Sequence, residues 1–405
     1  MTQKTVCMIF LRHSALDCRI YYKEARTLRD AGYNVHLIGR LSSKGAFYDM
    51  GGNSIAFPDQ NGIWEYDGMV FHGIKRRRGI VGKILEVRDL VRVGLELKAD
   101  VYHCHESDIA LSAAVKIKKT LKSSTKLIYD MHEFGPGSWK YVVKSGLKNI
   151  ALYLFTCGMK RGVNCSDYLI TANTIVRGRT LIFNRYKKVE ILENAPVLSI
   201  FKDGERSKKE SDTIVLCHEG AMGFARGLKE MVSLVERSAS RIKLRIVGTV
   251  AGKEKKWVEA EIKDNPDLSQ RIHITGWLPY EEVGNAISGC DIGLIMFHPT
   301  VNNMLAGPPN KLYNYMRYGM PVVSVDLPET RAIINKYRCG IIVKEWNVDS
   351  VIQAIHYLIN HPEEAKAMGQ RGKEAILNEL SWEHQGEKLL KIYEELFNKK
   401  PFVIF

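Results

Sequence analysis

Two short motifs in the first half of the chain bring histidines and carboxylates together. HCHESD (residues 103–108) and YDMHEF (residues 129–134) each follow a β-rich apolar run. Such groups at a strand end are suited to general acid–base chemistry or to binding sugar hydroxyls, and they can equally serve as hydrogen-bond partners that hold the loops together. His103 and His105 share a strand face, but no third ligand is spaced to join them, so the sequence predicts no metal site.

Two segments in the second half are suited to binding an anion. HEGAMGFARGLKE (residues 218–230) places a glycine turn and Arg226 next to a helix start, and GPPNK (residues 307–311) precedes a predicted helix. Free backbone N–H groups and the positive end of the helix dipole attract phosphate at such positions. With Lys311 in the first turn, the second segment predicts an anion clamp. The structural alternative for the first segment is a tight turn without a ligand. For the second segment it is a proline that only marks the start of a helix.

These motifs lie in two series of alternating strands and helices. The first series begins at TVCMIFL (residues 5–11) and ends with KVEILEN at residue 194, and the second runs from IVLC at residue 214 to GIIV at residue 340. Such alternation predicts parallel sheets covered by helices, with ligands at the carboxyl ends of the strands. We therefore predict an α/β protein of two doubly wound, Rossmann-like domains over residues 1–200 and 213–380, joined by a linker over 201–212. Residues 381–405 are predicted to form a helix that crosses back to the N-terminal domain.

The positive charge of the chain is concentrated in its first half. The 405 residues carry a net charge of +14, and residues 1–200 contain 31 Lys and Arg against 18 Asp and Glu. This asymmetry favours an anionic partner, such as nucleic acid, a membrane surface or a phosphorylated substrate, over a merely solubilising surface. Nucleic acid is the least favoured of the three, because no helix-turn-helix, zinc finger or RNA-binding motif is recognisable.

The composition is that of a globular protein from a reducing compartment. The eight cysteines are scattered without a C-x-x-C pair, and no apolar run reaches eighteen residues, so we expect a cytoplasmic protein. Basic residues flank the apolar stretch NIALYLF (residues 149–155), and a second basic cluster begins at Arg76. Both patterns fit peripheral contact with the inner face of an anionic membrane, and the first fits equally a core helix with a solvated basic face.

Taken in order, the motifs resemble bacterial glycosyltransferases of the GT-B fold, and most closely glycosyltransferase family 4, which builds capsule, O-antigen and exopolysaccharide. The N-terminal half carries DCRIYYKEARTLRDAGYNVHLIG, KLIYDMHE, SDYLITAN and ILENAP. The C-terminal half carries EGAMGFARGLKEM, LRIVG, RIHITGWLPYEEV, CDIGLIMF and PPNKLYNYMRYGMPVVSVD. The resemblance covers nearly the whole chain, and the ordered set is more specific than any single motif.

The resemblance implies a glycosyltransferase that moves a sugar from a nucleotide-sugar donor, with UDP as the expected carrier, to a glycan or lipid-linked glycan acceptor in surface polysaccharide synthesis. It implies a hexosyltransferase that retains the anomeric configuration and uses no metal ion or other cofactor, and no D-x-D motif occurs in the chain. The N-terminal domain would bind the acceptor and the C-terminal domain the donor.

The resemblance also implies roles for individual residues. Catalytic roles are expected for His132, Glu133, Arg226 and Lys311. The expected donor-binding residues are Glu219, Gly220, Gly248, Gly276, Trp277, Leu278, Pro309, Asn310 and Asn314. The expected acceptor-binding residues are Arg12, Asp17, Arg19, His105 and Asp108.

The chain departs from the family pattern at three positions. The E-x7-E glutamates of the family are replaced by Ala306 and Asn314, and Ala221 stands where the family has a phosphate-binding arginine. Asn314 can still hydrogen-bond ribose hydroxyls, although without charge assistance. The alternative that these departures leave open is a catalytically degenerate nucleotide-binding partner of another glycosyltransferase.

Overall fold

The described part of the chain forms two compact units. A computed structural model describes residues 3–105, 109–132, 148–200, 212–304 and 306–398. The first unit comprises residues 1–193 with 385–405, and the second comprises residues 194–384. Asp108 and Glu133, both predicted site residues, lie outside the described residues. The predicted linker also lies outside them, except for Asp212.

The first unit is built on an eight-stranded sheet. Its strands lie in the order β10-β9-β8-β7-β1-β2-β6-β5, and every pairing is parallel except that of β5 with β6. A separate hairpin pairs β3 with β4. The strands of this unit are β1 (Thr5–Phe10), β2 (Asn34–Arg40), β3 (Phe47–Tyr48), β4 (Ser54–Ala56), β5 (Ile63–Tyr66), β6 (Met69–Ile74), β7 (Val101–Cys104), β8 (Lys126–Met131), β9 (Tyr168–Thr171) and β10 (Val189–Ile191).

Helices connect these strands as a parallel sheet requires. They are α1 (Arg26–Asp30), α2 (Gly79–Leu97), α3 (Ile109–Leu121), α4 (Lys148–Cys165) and α5 (Thr174–Phe183). A single 3₁₀ turn, Lys122–Ser124, extends α3. The apolar faces of α2 to α5 pack on one side of the sheet and form a continuous core with β1, β7, β8 and β9.

The first helix of the chain begins with a wide turn. Ile20–Ala25 is π-helical and runs directly into α1. The carbonyl and carboxylate oxygens of Asp17 accept hydrogen bonds from backbone N–H groups at the start of this segment, which fixes where the helix begins. The wide turn buries Lys23 and Glu24 inside the first unit. Turns of this kind are frequent at functional sites.

The second unit contains a six-stranded, fully parallel sheet. Its strands lie in the order β13-β12-β11-β14-β15-β16. They are β11 (Ile214–Glu219), β12 (Ile242–Val247), β13 (Ile272–Ile274), β14 (Ile292–Ile295), β15 (Val322–Val325) and β16 (Gly340–Val343). β11 lies between β12 and β14, so the strand order reverses there, and the carboxyl end of β11 is the position at which such sheets bind ligands.

The helices of the second unit cover this sheet and complete its core. They are α6 (Leu228–Glu236), α7 (Gly252–Asp264), α8 (Pro266–Arg271), α9 (Tyr280–Ser288), α10 (Val301–Met304), α11 (Asn310–Arg317), α12 (Pro328–Tyr337), α13 (Val348–Asn360) and α14 (Pro362–Asn378). A 3₁₀ turn, Phe224–Arg226, precedes α6. The terminal helix α15 (Trp382–Asn398) starts in the second unit and continues in the first. Among the described helices, none combines the length and apolar character that a membrane crossing needs.

Candidate functional site

His132 stands at the carboxyl end of β8, two residues beyond Asp130. Its Nε2 atom lies 3.1 Å from Asp130 Oδ2. The side chain of His132 is 14% exposed, whereas that of Asp130 is fully buried. Burial lowers the pKa of His132, although the charge of Asp130 acts in the opposite direction. The ring is therefore neutral at neutral pH, and its exposed edge can hydrogen-bond a hydroxyl group.

Arg19 holds the carboxylate of Asp130. Its Nε and Nη2 atoms lie 3.2 Å and 3.0 Å from Asp130 Oδ2, and its Nη1 donates to the carbonyl of Leu192 at 2.8 Å. Burial alone would raise the pKa of Asp130, but the charge of Arg19 lowers it well below its usual range. Arg19, which was predicted to bind an acceptor, is only 3% exposed. Its guanidinium group makes these contacts in the interior of the first unit.

Asp130 belongs to a cluster of four buried histidine and carboxylate side chains around Arg19. One ligand atom from each lies within 4.8 Å of the others, and the four residues are Glu24, His103, His105 and Asp130. A mixed histidine and carboxylate set of this kind can hold zinc or iron. Arg19, however, already places a positive charge between the carboxylates, since its Nε also lies 2.9 Å from Glu24 Oε1.

Glu24 has a further means of removing its charge. Burial and the nearby charge of Asp130 raise the pKa of Glu24 well above its usual range. The guanidinium of Arg19 lies between the two carboxyl groups and offsets negative charge in this cluster. Glu24 and Asp130 are the further potential ligands that the spacing of His103 and His105 in the sequence did not reveal.

The two histidines predicted from HCHESD are interior residues. His103 is fully buried, and its Nδ1 atom lies 3.0 Å from the hydroxyl of Tyr393 on α15. His105 is 2% exposed, and burial lowers its pKa to about 4. Its Nδ1 atom lies 3.4 Å from His132 Nε2. His105 thus packs behind His132 and does not reach an acceptor itself.

A histidine that the sequence reasoning missed lies beside His132. His13 follows β1, and its ring centroid is 5.2 Å from that of His132 in an edge-to-face arrangement. Its Nδ1 atom lies 3.0 Å from Asp17 Oδ2, and both side chains are partly exposed. Asp17, predicted to bind an acceptor, therefore contacts His13 and the start of the first helix. The signal in the sequence was the four-residue spacing of these residues in HSALD.

In the second unit, Lys311 is buried at the carboxyl end of β11. It lies in the first turn of α11, and its Nζ atom is 3.0 Å from His218 Nε2. Burial and the charge of Arg226 lower the pKa of Lys311 to about 7. Burial lowers the pKa of His218 well below its usual range, so this ring remains neutral and accepts the hydrogen bond from the protonated lysine. Sequence reasoning identified Lys311 but not His218.

Arg226 and Lys311 face the same aromatic ring. The guanidinium carbon of Arg226 lies 5.9 Å from the ring centroid of Phe297, and Lys311 Nζ lies 5.0 Å from it. Arg226 is exposed and donates to the carbonyl of Ala221. Two cations drawn together in this way create a local positive potential that an anionic ligand would relieve.

The carboxylate of Glu219 and the amide of Asn314 are paired. Asn314 Nδ2 donates to Glu219 Oε2 at 2.8 Å, although 95 residues separate them. The neighbouring Tyr315 fixes this end of β11, because its hydroxyl accepts from the Glu219 N–H at 2.9 Å and donates to the Cys217 carbonyl at 3.1 Å. A carboxylate therefore lies beside position 314, where the chain itself has a neutral side chain.

Two predicted glycines allow two loops to approach each other closely. Gly220 follows β11 with φ +92°, and Gly248 follows β12 with φ +153°. A Cβ atom on Gly248 would lie 2.3 Å from the carbonyl oxygen of Gly220, so no side chain fits there. A Cβ atom on Gly220 would lie 3.8 Å from Lys311 Nζ, which places this backbone turn beside the buried lysine.

The other predicted donor residues lie on loops of the second unit. Gly276, Trp277 and Leu278 are half-buried after β13, and Gly276 has φ +76°. Pro309 caps α11, and Asn310 is the exposed first residue of that helix. In the first unit, Arg12 is exposed just after β1.

Comparison with solved structures identifies the fold. The chain has the GT-B fold, which consists of two Rossmann-like domains and is known from glycosyltransferases. Sucrose-phosphate synthase from Thermosynechococcus elongatus superposes with a TM-score of 0.70 at 13% identity, covering 98% of this chain and 99% of that one. Anabaena HepE in complex with UDP gives a TM-score of 0.69 at 11% identity, covering 97% and 100%. At such identities the likeness is one of fold alone.

Sequence comparison finds similarity to glycosyltransferases, with the family match in the second half of the chain. Residues 200–375 match the family described as Glycosyl transferases group 1. An uncharacterised glycosyltransferase, MJ1069 of Methanocaldococcus jannaschii, is 23% identical over 280 residues, which cover 67% of this chain and 69% of that protein. The matched domain and the fold together support a GT-B glycosyltransferase.

Proposed function

We propose that the protein transfers a hexosyl group from a nucleotide-sugar donor to a hydroxyl group of a glycan or lipid-linked glycan. The observation that carries this proposal is the pair formed by Lys311 and Arg226 at the carboxyl end of β11, inside the region that matches the family. A nucleoside diphosphate supplies the negative charge that this pair lacks. UDP is the proposed carrier, and the HepE structure with UDP supports that choice.

Positioning and charge would carry most of the catalysis. As the bond between the anomeric carbon and the diphosphate breaks, negative charge grows on the leaving oxygen. Fixed cations aimed at that charge stabilise the transition state, and removing one such group typically costs about 10² to 10³ in kcat. Because two cations are present, we propose that catalysis needs no metal ion. Turnover in the presence of excess EDTA tests this point.

The pairing of Glu219 with Asn314 supports an active enzyme rather than a degenerate partner. The family resemblance expects a glutamate at position 314 to hold the ribose hydroxyls. In this chain Glu219 Oε2 lies 2.8 Å from the Asn314 amide. A carboxylate is therefore present beside that position, although it comes from strand β11 and not from helix α11. We propose that the two side chains share the ribose contact.

On the first unit, His132 would hydrogen-bond a sugar hydroxyl. We propose that the anomeric configuration is retained, as the family resemblance implies. A diphosphate oxygen or the carboxylate of Glu133, which lies outside the described residues, would then take the proton of the acceptor hydroxyl. Proton NMR of the freshly formed product reports the configuration directly, and an inverted anomer would contradict this part of the proposal.

The surface of the first unit supports an anionic, membrane-bound acceptor. At the start of α2, Val81 is 71% exposed and Ile84 is 63% exposed. Four cations near them in the sequence are also exposed, namely Lys75, Arg76, Arg78 and Arg88, and we refer to these six residues as the basic tip. Exposed apolar side chains together with exposed cations match the interface of an anionic bilayer. We propose peripheral contact there, during synthesis of a surface polysaccharide.

A transfer assay with matched variants tests the proposed function. The purified chain is incubated with a panel of nucleotide sugars, and release of the nucleotide is followed. We expect Arg226→Ala to lose about 10²-fold or more in turnover, whereas Arg237→Ala, at the far end of α6, should behave as the wild type. Tight nucleotide binding without turnover of any donor would instead indicate the degenerate binding partner.

A further inference from the structure

The carboxylate of Asp130 determines which nitrogen of His132 carries the proton. Two Arg19 nitrogens lie within 3.2 Å of Asp130 Oδ2, so the carboxylate is ionised. An ionised carboxylate only accepts hydrogen bonds. The contact of 3.1 Å between Asp130 Oδ2 and His132 Nε2 therefore requires His132 to donate through Nε2.

A neutral ring that donates through Nε2 has its lone pair on Nδ1. The His132 side chain retains 14% exposure, so the ring reaches the surface at the carboxyl end of β8. We infer that Asp130 and Arg19 are positioning residues that hold His132 as the Nε2–H tautomer, so that Nδ1 accepts a hydrogen bond from a sugar hydroxyl. Only the identity of the hydroxyl as that of a sugar rests on the proposed function.

The interior of the first unit is arranged to keep this tautomer. Arg19 is anchored independently of Asp130, because its Nη1 donates to the carbonyl of Leu192 at 2.8 Å. Its Nε lies 2.9 Å from Glu24 Oε1, so the same guanidinium group also contacts a second buried carboxyl group. Because the planar fork of arginine matches this geometry, lysine would not replace it fully.

The neighbouring His13 repeats the same arrangement. Its Nδ1 atom lies 3.0 Å from Asp17 Oδ2. Burial alone would raise the pKa of Asp17, but His13 and the backbone N–H groups that donate to Oδ1 lower it. Two adjacent histidines therefore each place a ring nitrogen next to a carboxylate.

The tautomer of His132 can be measured without any substrate. In two-dimensional ¹H–¹⁵N spectra of the full-length ¹⁵N-histidine-labelled chain, the ring nitrogens of neutral histidines report the site of the proton, and His132→Gln assigns the signal. We expect His132 to be the Nε2–H tautomer in the wild type. In Asp130→Asn, we expect this preference to weaken. A wild-type ring that is an imidazolium ion or the Nδ1–H tautomer would overturn the inference.

Glu24→Gln is the matched control for Asp130→Asn. Both changes replace a buried carboxyl group that contacts Arg19 with its isosteric amide. Only Asp130 touches His132, so the signal of His132 should keep its wild-type shifts in Glu24→Gln. If both variants shift the signal equally, the effect is general to the cluster and the inference fails. Stoichiometric metal in the purified protein, lost together with the wild-type spectrum on chelation, would also contradict it.

Kinetics provide a second test, and its outcome is independent of the NMR result. With an active donor and acceptor pair, we expect Asp130→Asn to lower kcat by about 10- to 100-fold, with a smaller change in KM. Arg19→Lys should recover part of the loss seen in Arg19→Met. If the wild type transfers no sugar, the proposed function fails while the spectra still decide the tautomer. If the wild type is active and Asp130→Asn matches it in kcat, the positioning role is refuted.

Discussion

Binding of a nucleotide sugar should weaken as the pH rises through neutrality, because Lys311 loses its proton in the free protein. Burial and the charge of Arg226 lower the pKa of Lys311 to about 7. A bound diphosphate would place negative charge next to this ammonium group and raise its pKa again. Donor binding and protonation of Lys311 are therefore linked, and each favours the other.

The expected magnitude follows from that pKa. With a value of about 7, the lysine is about nine-tenths protonated at pH 6 and about one-tenth protonated at pH 8. Since the donor binds the protonated form, the affinity should fall about tenfold between these two pH values, which corresponds to about 1.4 kcal/mol. At pH 8, binding should take up about 0.9 proton for each donor bound.

The groups around Lys311 do not titrate between pH 6 and pH 8, so the pH dependence of binding is assigned to Lys311. Arg226 remains charged throughout the range, and the pKa of His218 lies well below its usual value. The pKa of the buried Cys217 thiol is raised well above its usual value. The diphosphate of a nucleotide sugar is a diester and neither gains nor loses a proton near neutrality. The donor itself therefore adds no titration to the measurement.

Isothermal titration calorimetry provides the assay. Titrations of a nucleotide sugar at several pH values, each in two buffers with different ionisation enthalpies, give the affinity and the proton uptake together. Lys311→Met should bind weakly and show no proton uptake, whereas Lys336→Met, an exposed lysine of the same unit, should match the wild type. Affinity that stays constant or rises between pH 6 and pH 8, with no proton uptake, would refute the reasoning.

Three further predictions concern the loops and the surface. Gly248→Ala should lower the free energy of unfolding by about 3 kcal/mol and impair nucleotide binding. Gly252→Ala, at φ +61° and with Glu254 Oε2 at an ordinary contact distance of 3.8 Å from the added Cβ, should cost about 1 kcal/mol. Urea denaturation measures both. Tyr315→Phe should cost about 1 to 3 kcal/mol in the same experiment, because it removes the hydrogen bonds of its hydroxyl with the part-buried Glu219 N–H and the buried Cys217 carbonyl. Ile84→Asp in the basic tip should reduce the salt-sensitive sedimentation of the protein with anionic vesicles. Ile182 is 79% exposed elsewhere on the first unit, and Ile182→Asp should leave sedimentation unchanged. Equal effects of the two substitutions would contradict the proposed contact.

The parallel sheets could be predicted because their central strands appear in the sequence as short apolar runs. TVCMIFL and IVLC head the two predicted series, and the structure places Thr5–Phe10 and Ile214–Glu219 in the interior of their sheets. The strands between residues 47 and 74 were not predicted. Among them, β4 and β5 are partly exposed and lack a continuous apolar run. The π-helical start of the first helix was also missed, because its apolar spacing resembles that of an α-helix.

Sequence patterns locate a polar residue along the chain but do not show what its side chain contacts. Lys311 was identified from its place in a helix start, a local feature that the sequence displays. Arg19 and His105 were expected to bind an acceptor, but both are interior residues. A polar side chain in a motif looks the same whether it faces solvent or a buried partner. Only the fold reveals that Arg19 meets Asp130, 111 residues away.

Pairings across the sheet were equally hidden from the sequence. The departure at Asn314 suggested a lost carboxylate, yet Glu219 supplies one from a position 95 residues earlier. His218 was overlooked because a lone histidine inside a strand is usually a packing residue, and its contact with Lys311 depends on how β11 and α11 meet. Interactions of this kind require the register of strands and helices, which local patterns do not contain.

The most direct test of the central claim is sugar transfer by the purified chain and its dependence on the two cations of the second unit. With a suitable nucleotide sugar, we expect the wild type and Arg237→Ala to release nucleotide at the same rate. Arg226→Ala and Lys311→Met should each be slower by about 10²-fold or more. Equal rates in the wild type and both site variants would contradict the account.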